Sequence, residues 1–111
     1  MHAFTVTEVQ KELRQNSQKY LEFLRVPSLS MGLYELAVGS EDTQQPHTED
    51  EIYYVVSGDA IIRVDGEDQP VSAGSVVYVA ANVRHYFHTI SQELSVLVFF
   101  APAEYARRNQ S

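Results

Sequence analysis

From Ser28 to Ala101 the chain is a succession of short apolar segments, with a turn signal about every ten residues. That rhythm leaves little room for helices of ordinary length and describes a β-sandwich or barrel. The segments are Leu29–Val38, Ile52–Val56, Ala60–Asp65, Glu67–Val71, Val76–Ala80, His85–Ile90 and Leu94–Ala101. Gly39, Ser57-Gly58-Asp59, Asp65-Gly66 and Ser72-Ala73-Gly74 separate several of them. Asp65-Gly66 reads as a hairpin turn, because glycine accepts positive φ there. With one more strand upstream, eight or nine short strands are expected.

Residues 1–27 read differently. Thr7 with Gln10 has the form of a capping box, and Val9 and Leu13 lie on one side of the following turns. The pattern predicts a helix over Glu8–Gln15 that ends in the polar Asn16-Ser17-Gln18. Tyr20–Val26 is a short aromatic strand stopped by Pro27. The expected organisation is a single domain. An N-terminal helix-and-strand extension, residues 1–27, packs on a barrel of residues 28–111, whose tail from Glu104 to Ser111 is polar and frays.

Val76–Ala80 and Leu97–Phe100 are apolar on both faces, whereas a sheet with one wet face alternates. A second face therefore needs a cover, either the N-terminal segment or a second copy of the chain. A homodimer is the expectation.

Composition narrows the function. The 111 residues include no cysteine, which excludes disulfides, thiolate nucleophiles and Cys-ligated metal sites. A net charge of −7 argues against partners that are nucleic acids or anionic membrane surfaces. No apolar run approaches the ~18 residues of a spanning helix. The start, MHAFTVTEVQKEL, shows neither a basic head nor an apolar stretch of signal-peptide type, so a cytoplasmic protein is expected.

The histidines carry the chemistry. In extended chain, side chains two apart share a face, so Gln45, His47, Glu49, Glu51 and Tyr53 have one parity. An amide oxygen, an imidazole and a carboxylate can converge on a divalent metal if the sheet curves around them. Glu49-Asp50-Glu51 packs three acids together, which is costly unless they are solvated or bind a cation. Taken alone, the stretch reads as a wet loop, and His85 as an inert histidine at a strand start. His88 has the opposite parity to His85, so one of the two faces the interior. Tyr53, Tyr78 and Phe87 read as core residues in the absence of a cavity. His2 takes no role.

Together these pieces resemble the cupin superfamily, small β-barrels with two sequence motifs. Gly39, Gln45-Pro46-His47, Glu51 and Gly58 fit the first, with Gln45 where the family has a histidine. Gly74, Ala80-Ala81-Asn82, His85 and Thr89 fit the second, with Ala80 for Pro, Asn82 for Gly and Thr89 for Asn. Asn tolerates the left-handed conformation better than most residues. The resemblance implies an all-β, antiparallel double-stranded β-helix or jelly-roll barrel with a short N-terminal helix. It implies His47, Glu51 and His85 as metal ligands and Gln45 as a weaker fourth. Two histidines and one carboxylate also form the set of non-haem iron sites with open positions.

The implied cofactor is a divalent transition metal, one of Zn, Fe, Mn, Ni or Co. The implied partner is a small oxygen-bearing molecule at that metal, with Tyr53 and Phe87 lining the pocket by parity with the ligands. Chemistry of dioxygenase or isomerase type follows, according to whether the metal is redox-active or a Lewis acid alone. Glu49 and His88 are the nearest candidates for a general base, and neither is assigned. The alternative is a barrel that binds a small ligand without turnover, or one that is purely structural.

Overall fold

The computed structural model describes residues 1–43 and 46–106. Helix α1 spans Val6–Gln15. The strands are β1 (Tyr20–Val26), β2 (Leu29–Leu36), β3 (Asp50–Val64), β4 (Glu67–Ser72), β5 (Val76–Val79) and β6 (His85–Ala101). They form one antiparallel sheet in the order β1-β2-β6-β3-β4, with β5 paired to β3.

The described residues thus hold six strands rather than eight or nine. The expected breaks at Ser57-Gly58-Asp59 and between Ile90 and Leu94 lie inside single long strands. Register shifts between Val55 and Ile61 mark bulges at the first of them. There the strand bends and resumes pairing. Gly58 has φ +105°, and a Cβ on it would collide with the backbone of Glu93 and Leu94. The local chemistry of a turn is present, but a glycine within an apolar run can equally produce a bulge.

This bend lets β3 and β6 each serve both ends of the barrel. Glu51 to Tyr54 pair with β5 on one side and with Phe100 to Leu97 on the other. Asp59 to Val64 pair with β4 and with Gln92 to His85. Along β3, Glu51, Tyr53 and Val55 are buried while Ile52 and Tyr54 are exposed, the period of two that a strand imposes. The core packs Tyr53, Phe87, Ile62, Leu94, Val96 and Phe100 together with smaller aliphatics. The rings of Tyr53 and Phe87 meet edge to face at 5.0 Å, worth about 1 kcal/mol beyond their burial.

Helix α1 covers part of the outer face. Val9 and Leu13 pack on Leu33, with Leu21, Phe23 and Leu97 around them. Each buried side chain contributes roughly 1.5–3 kcal/mol. The helix begins two residues before the expected start. Thr5, not Thr7, is the N-cap, and its Oγ1 accepts from the Glu8 N–H at 3.2 Å. Thr5-Val6-Thr7-Glu8 has the same capping spacing and adds an acid to the first turn, which favours that register. On β2, Glu35 takes both the Nε and Nη2 of Arg14, at 2.9 and 3.1 Å, and so ties the helix down.

The cover stops there. Leu97 is sheltered by the helix, but Ile52, Tyr54, Val76 and Tyr78 remain exposed in two cross-strand pairs. Tyr78, expected as a core residue, points outward because β5 turns Val77 and Val79 inward. No helix among the described residues is long and apolar enough to cross a membrane.

Candidate metal centre

His47 precedes β3, Glu51 is the second residue of that strand, and His85 opens β6. Backbone contacts bring the two motifs together. The Asn82 N–H donates to the His47 carbonyl at 2.7 Å, and the Ala81 N–H to Asp50 Oδ1 at 3.0 Å. Asn82 takes the left-handed conformation, φ +66°, as its substitution for glycine requires. Thr89, within β6, also has positive φ, +50°, which is costly for a β-branched residue, so this departure bears on the backbone.

The parity reading holds across the described residues: His47, Glu49, Glu51 and Tyr53 are all buried. The acid run is therefore not a wet face. Glu49 and Glu51 are each 1% exposed. Glu49 accepts from the Tyr105 N–H at 2.9 Å and from the Thr48 hydroxyl. Gln45 lies outside the described residues.

His47, Glu51 and His85 each present one donor atom, and these atoms lie within 4.8 Å of one another. Glu51 Oε1 stands 2.9 Å from His85 Nε2 and 3.6 Å from His47 Nδ1. None of these atoms, nor Glu51 Oε2, makes a properly directed hydrogen bond among the described residues, although all are buried. Four buried polar atoms left in that condition would each be destabilising.

The opposite nitrogen of each ring is engaged. His85 Nδ1 lies 2.8 Å from the Val83 carbonyl, and His47 Nε2 lies 3.0 Å from Glu104 Oε2. A carbonyl and a carboxylate can only accept, so each imidazole carries its proton there when neutral. His85 Nε2 and His47 Nδ1, on the Glu51 side, are then the nitrogens that carry lone pairs. An outer partner that fixes the tautomer of an inner ligand is the arrangement metal sites use. The donor set is all N and O, suited to the mid-row divalent ions. Burial pushes the His85 imidazolium down, but the Glu51 carboxylate and the Val83 carbonyl outweigh it, leaving a raised pKa.

Glu104 was expected in a fraying tail and is instead buried. Its N–H donates to Ser30 Oγ at 2.8 Å, and the preceding Ala103 is 1% exposed. The ring of His47 lies between Phe100 and Tyr105, at centroid distances of 4.6 and 6.1 Å. The available signal was Ala101-Pro102-Ala103, an apolar run that continues β6 toward the interior; the pairing with His47 leaves no local pattern. Asp42 was also missed: it accepts from the Tyr34 hydroxyl at 2.8 Å and the Phe87 N–H at 2.9 Å.

The remaining candidates separate cleanly. Tyr53 and Phe87 lie in the core, with the Tyr53 ring 5.9 Å from that of His85. His88 is on the surface, 2.9 Å from Asp68, and takes no part in the cluster.

Known proteins resemble this chain in both sequence and shape. The family model for the cupin domain matches residues 32–101. A protein of Streptomyces coelicolor described as uncharacterised is 51% identical over 104 residues, covering 94% of this chain and 99% of its own length. An acireductone dioxygenase of Bacillus cytotoxicus is 28% identical over 85 residues, 72% of this chain but 49% of that enzyme. Among solved structures, an RmlC-like cupin of Methanocaldococcus jannaschii with a double-stranded β-helix fold superposes with a TM-score of 0.71. That pair is 18% identical, over 83% of this chain and 84% of the other. KdgF of a Halomonas species gives 0.68 at 23% identity, over 75% and 76% of the two chains. Motif, fold and family match agree: the chain belongs to the cupin family.

Proposed function

We propose that this cupin holds one divalent transition metal on His47, Glu51 and His85 and binds a small oxygen-bearing molecule there. The observation that carries the reading is the convergence of buried donor atoms of His47, Glu51 and His85 on one spot, with the other nitrogen of each ring fixed. Gln45 is proposed as a fourth, weaker donor through its amide oxygen. A metal so held supplies Lewis acidity toward the ligand's oxygen, and redox chemistry where it is iron, manganese or nickel. The chain's own part is to orient and to exclude water. Glu51 offsets one of the ion's two charges, Val83 and Glu104 hold the imidazoles in register, and Tyr53 and Phe87 form the apolar wall of the ligand pocket.

The identity to an acireductone dioxygenase supports chemistry of dioxygenase type. A second reading, ligand binding without turnover, draws on the engagement of both neighbouring carboxylates. Glu49 is bonded to the Tyr105 backbone and Glu104 to His47, so neither is a free base. The exposed strip of Ile52, Tyr54, Val76 and Tyr78 supports a homodimer, to be checked by sedimentation of wild type against Val76→Glu.

The first test is elemental analysis of the purified protein beside His47→Ala. The expected result is metal in the wild type and little in the variant; equal content in both ends the metal reading. Oxygen uptake by the iron-loaded protein over small diketones, phenols and hydroxy acids then separates the dioxygenase from the passive binder.

A further inference from the structure

Beside the four atoms of the triad, one more buried side-chain atom lacks a partner among the described residues: the hydroxyl of Tyr20. Tyr20 opens β1 and lies outside the segment that matches the cupin domain. Its backbone is paired with Tyr34, and their rings meet edge to face at 6.3 Å. From there the side chain leans along β2 over Gly32. A Cβ on Gly32 would collide with the phenol oxygen and with two ring carbons, so the missing side chain is what admits the phenol. Gly32 pairs with Val98, which pairs with Tyr53. In the next inward-facing row, Ser30 pairs with Phe100, which pairs with Glu51. Along the strands the phenol oxygen therefore lies about one row, roughly 7 Å, from the row that carries Glu51, and across the curved sheet β6 separates β2 from β3, two spacings of about 4.8 Å. Ser30 in that row also holds the Glu104 backbone.

We propose that Tyr20 is a specificity-determining hydrogen-bond donor of this site, giving its O–H to an anionic or carbonyl oxygen of the small molecule bound at the triad. This rests on the metal reading above. A neutral phenol is a donor with capacity to spare, and leaving it buried without an acceptor is destabilising, as expected of a group kept for a ligand. Burial first, and then the carboxylates of Glu104, Glu22 and Glu51, push its pKa far up, so the proton stays on the oxygen. The matching ligand presents two oxygens, one toward the metal and one toward the phenol. Hydroxy acids, diketones and dicarboxylates have that chemistry.

Cobalt(II), read by its visible absorption bands, and oxalate are the probes, with azide as a control ligand that carries no oxygen. Tyr20→Phe is expected to load cobalt as the wild type does and to bind oxalate about tenfold more weakly. Its azide affinity should not change, and its melting temperature should hold or rise, because an unpaired polar atom has been removed. Gly32→Ala, which displaces the phenol and leaves its oxygen intact, is expected to show the same selective loss. Oxalate affinity equal in the wild type and Tyr20→Phe, with both holding cobalt, overturns the role of Tyr20 and leaves the metal reading standing. A parallel loss of oxalate and azide also overturns it, since that pattern reports general damage. A wild type that takes up no cobalt overturns both.

Discussion

The two imidazoles of the centre are held in opposite ways. His85 sits at the start of a strand, and its outer nitrogen is fixed by a carbonyl two residues back. His47 sits in a loop, and its outer nitrogen is fixed by a carboxylate 57 residues away. Further support comes from Phe100, Tyr105 and the Asn82 N–H. One orientation is a product of local geometry and survives distant change. The other depends on the C-terminal segment being docked. Half of the site is thus built into the barrel, and half is assembled only when the chain closes on itself.

The largest expected effect comes from removing a ligand outright, either Glu51, which faces both rings, or His85 itself. Glu51→Ala or His85→Ala should bring metal content from about one ion per chain to near none by elemental analysis. Retention of a full equivalent by either variant would contradict the ligand assignment. Removing the metal comes next. At a hundredfold excess over Kd, binding adds about 2.7 kcal/mol to stability, so a chelator should lower the melting temperature by several degrees. His85→Ala should show no such chelator response.

The comparison is sharpened by Glu104→Ala, which strikes only the His47 half. Loss of an outer carboxylate should weaken metal binding about 10–100-fold in a competition titration, with Glu104→Gln retaining more. An unchanged affinity would mean that His47 needs no help from the C-terminal segment. Acid acts on the other half. The raised pKa of His85 means that a proton competes with the metal for Nε2. Affinity should fall as pH drops, with a proton released on binding, and calorimetry in two buffers measures it. The smallest effect belongs to His88→Ala. Three residues from His85 but on the surface beside Asp68, it should leave metal content unchanged.

Much of this was legible before the fold was known. Strand periodicity separated Glu51 and Tyr53 from Ile52 and Tyr54, because alternation is a property of extended chain and needs no partner. The resemblance to the two cupin motifs, rather than periodicity, selected His47, Glu51 and His85 as ligands. The bulge at Gly58 was misread as a turn, since one glycine serves both and the neighbouring strand decides between them. Tyr78 was read as core in the absence of a cavity, yet burial depends on which face another element covers.

By itself the sequence determined the alternation of buried and exposed residues along β3 and supplied side chains able to act as donors, both of which follow from local backbone geometry and side-chain chemistry. Only the tertiary structure decided that Glu104 meets His47, that Tyr20 passes over Gly32, and that helix α1 shelters Leu97 but not Tyr78. Those contacts join residues far apart in the chain, and no local periodicity encodes them. They exist because closing the barrel brings remote segments to the same few ångströms.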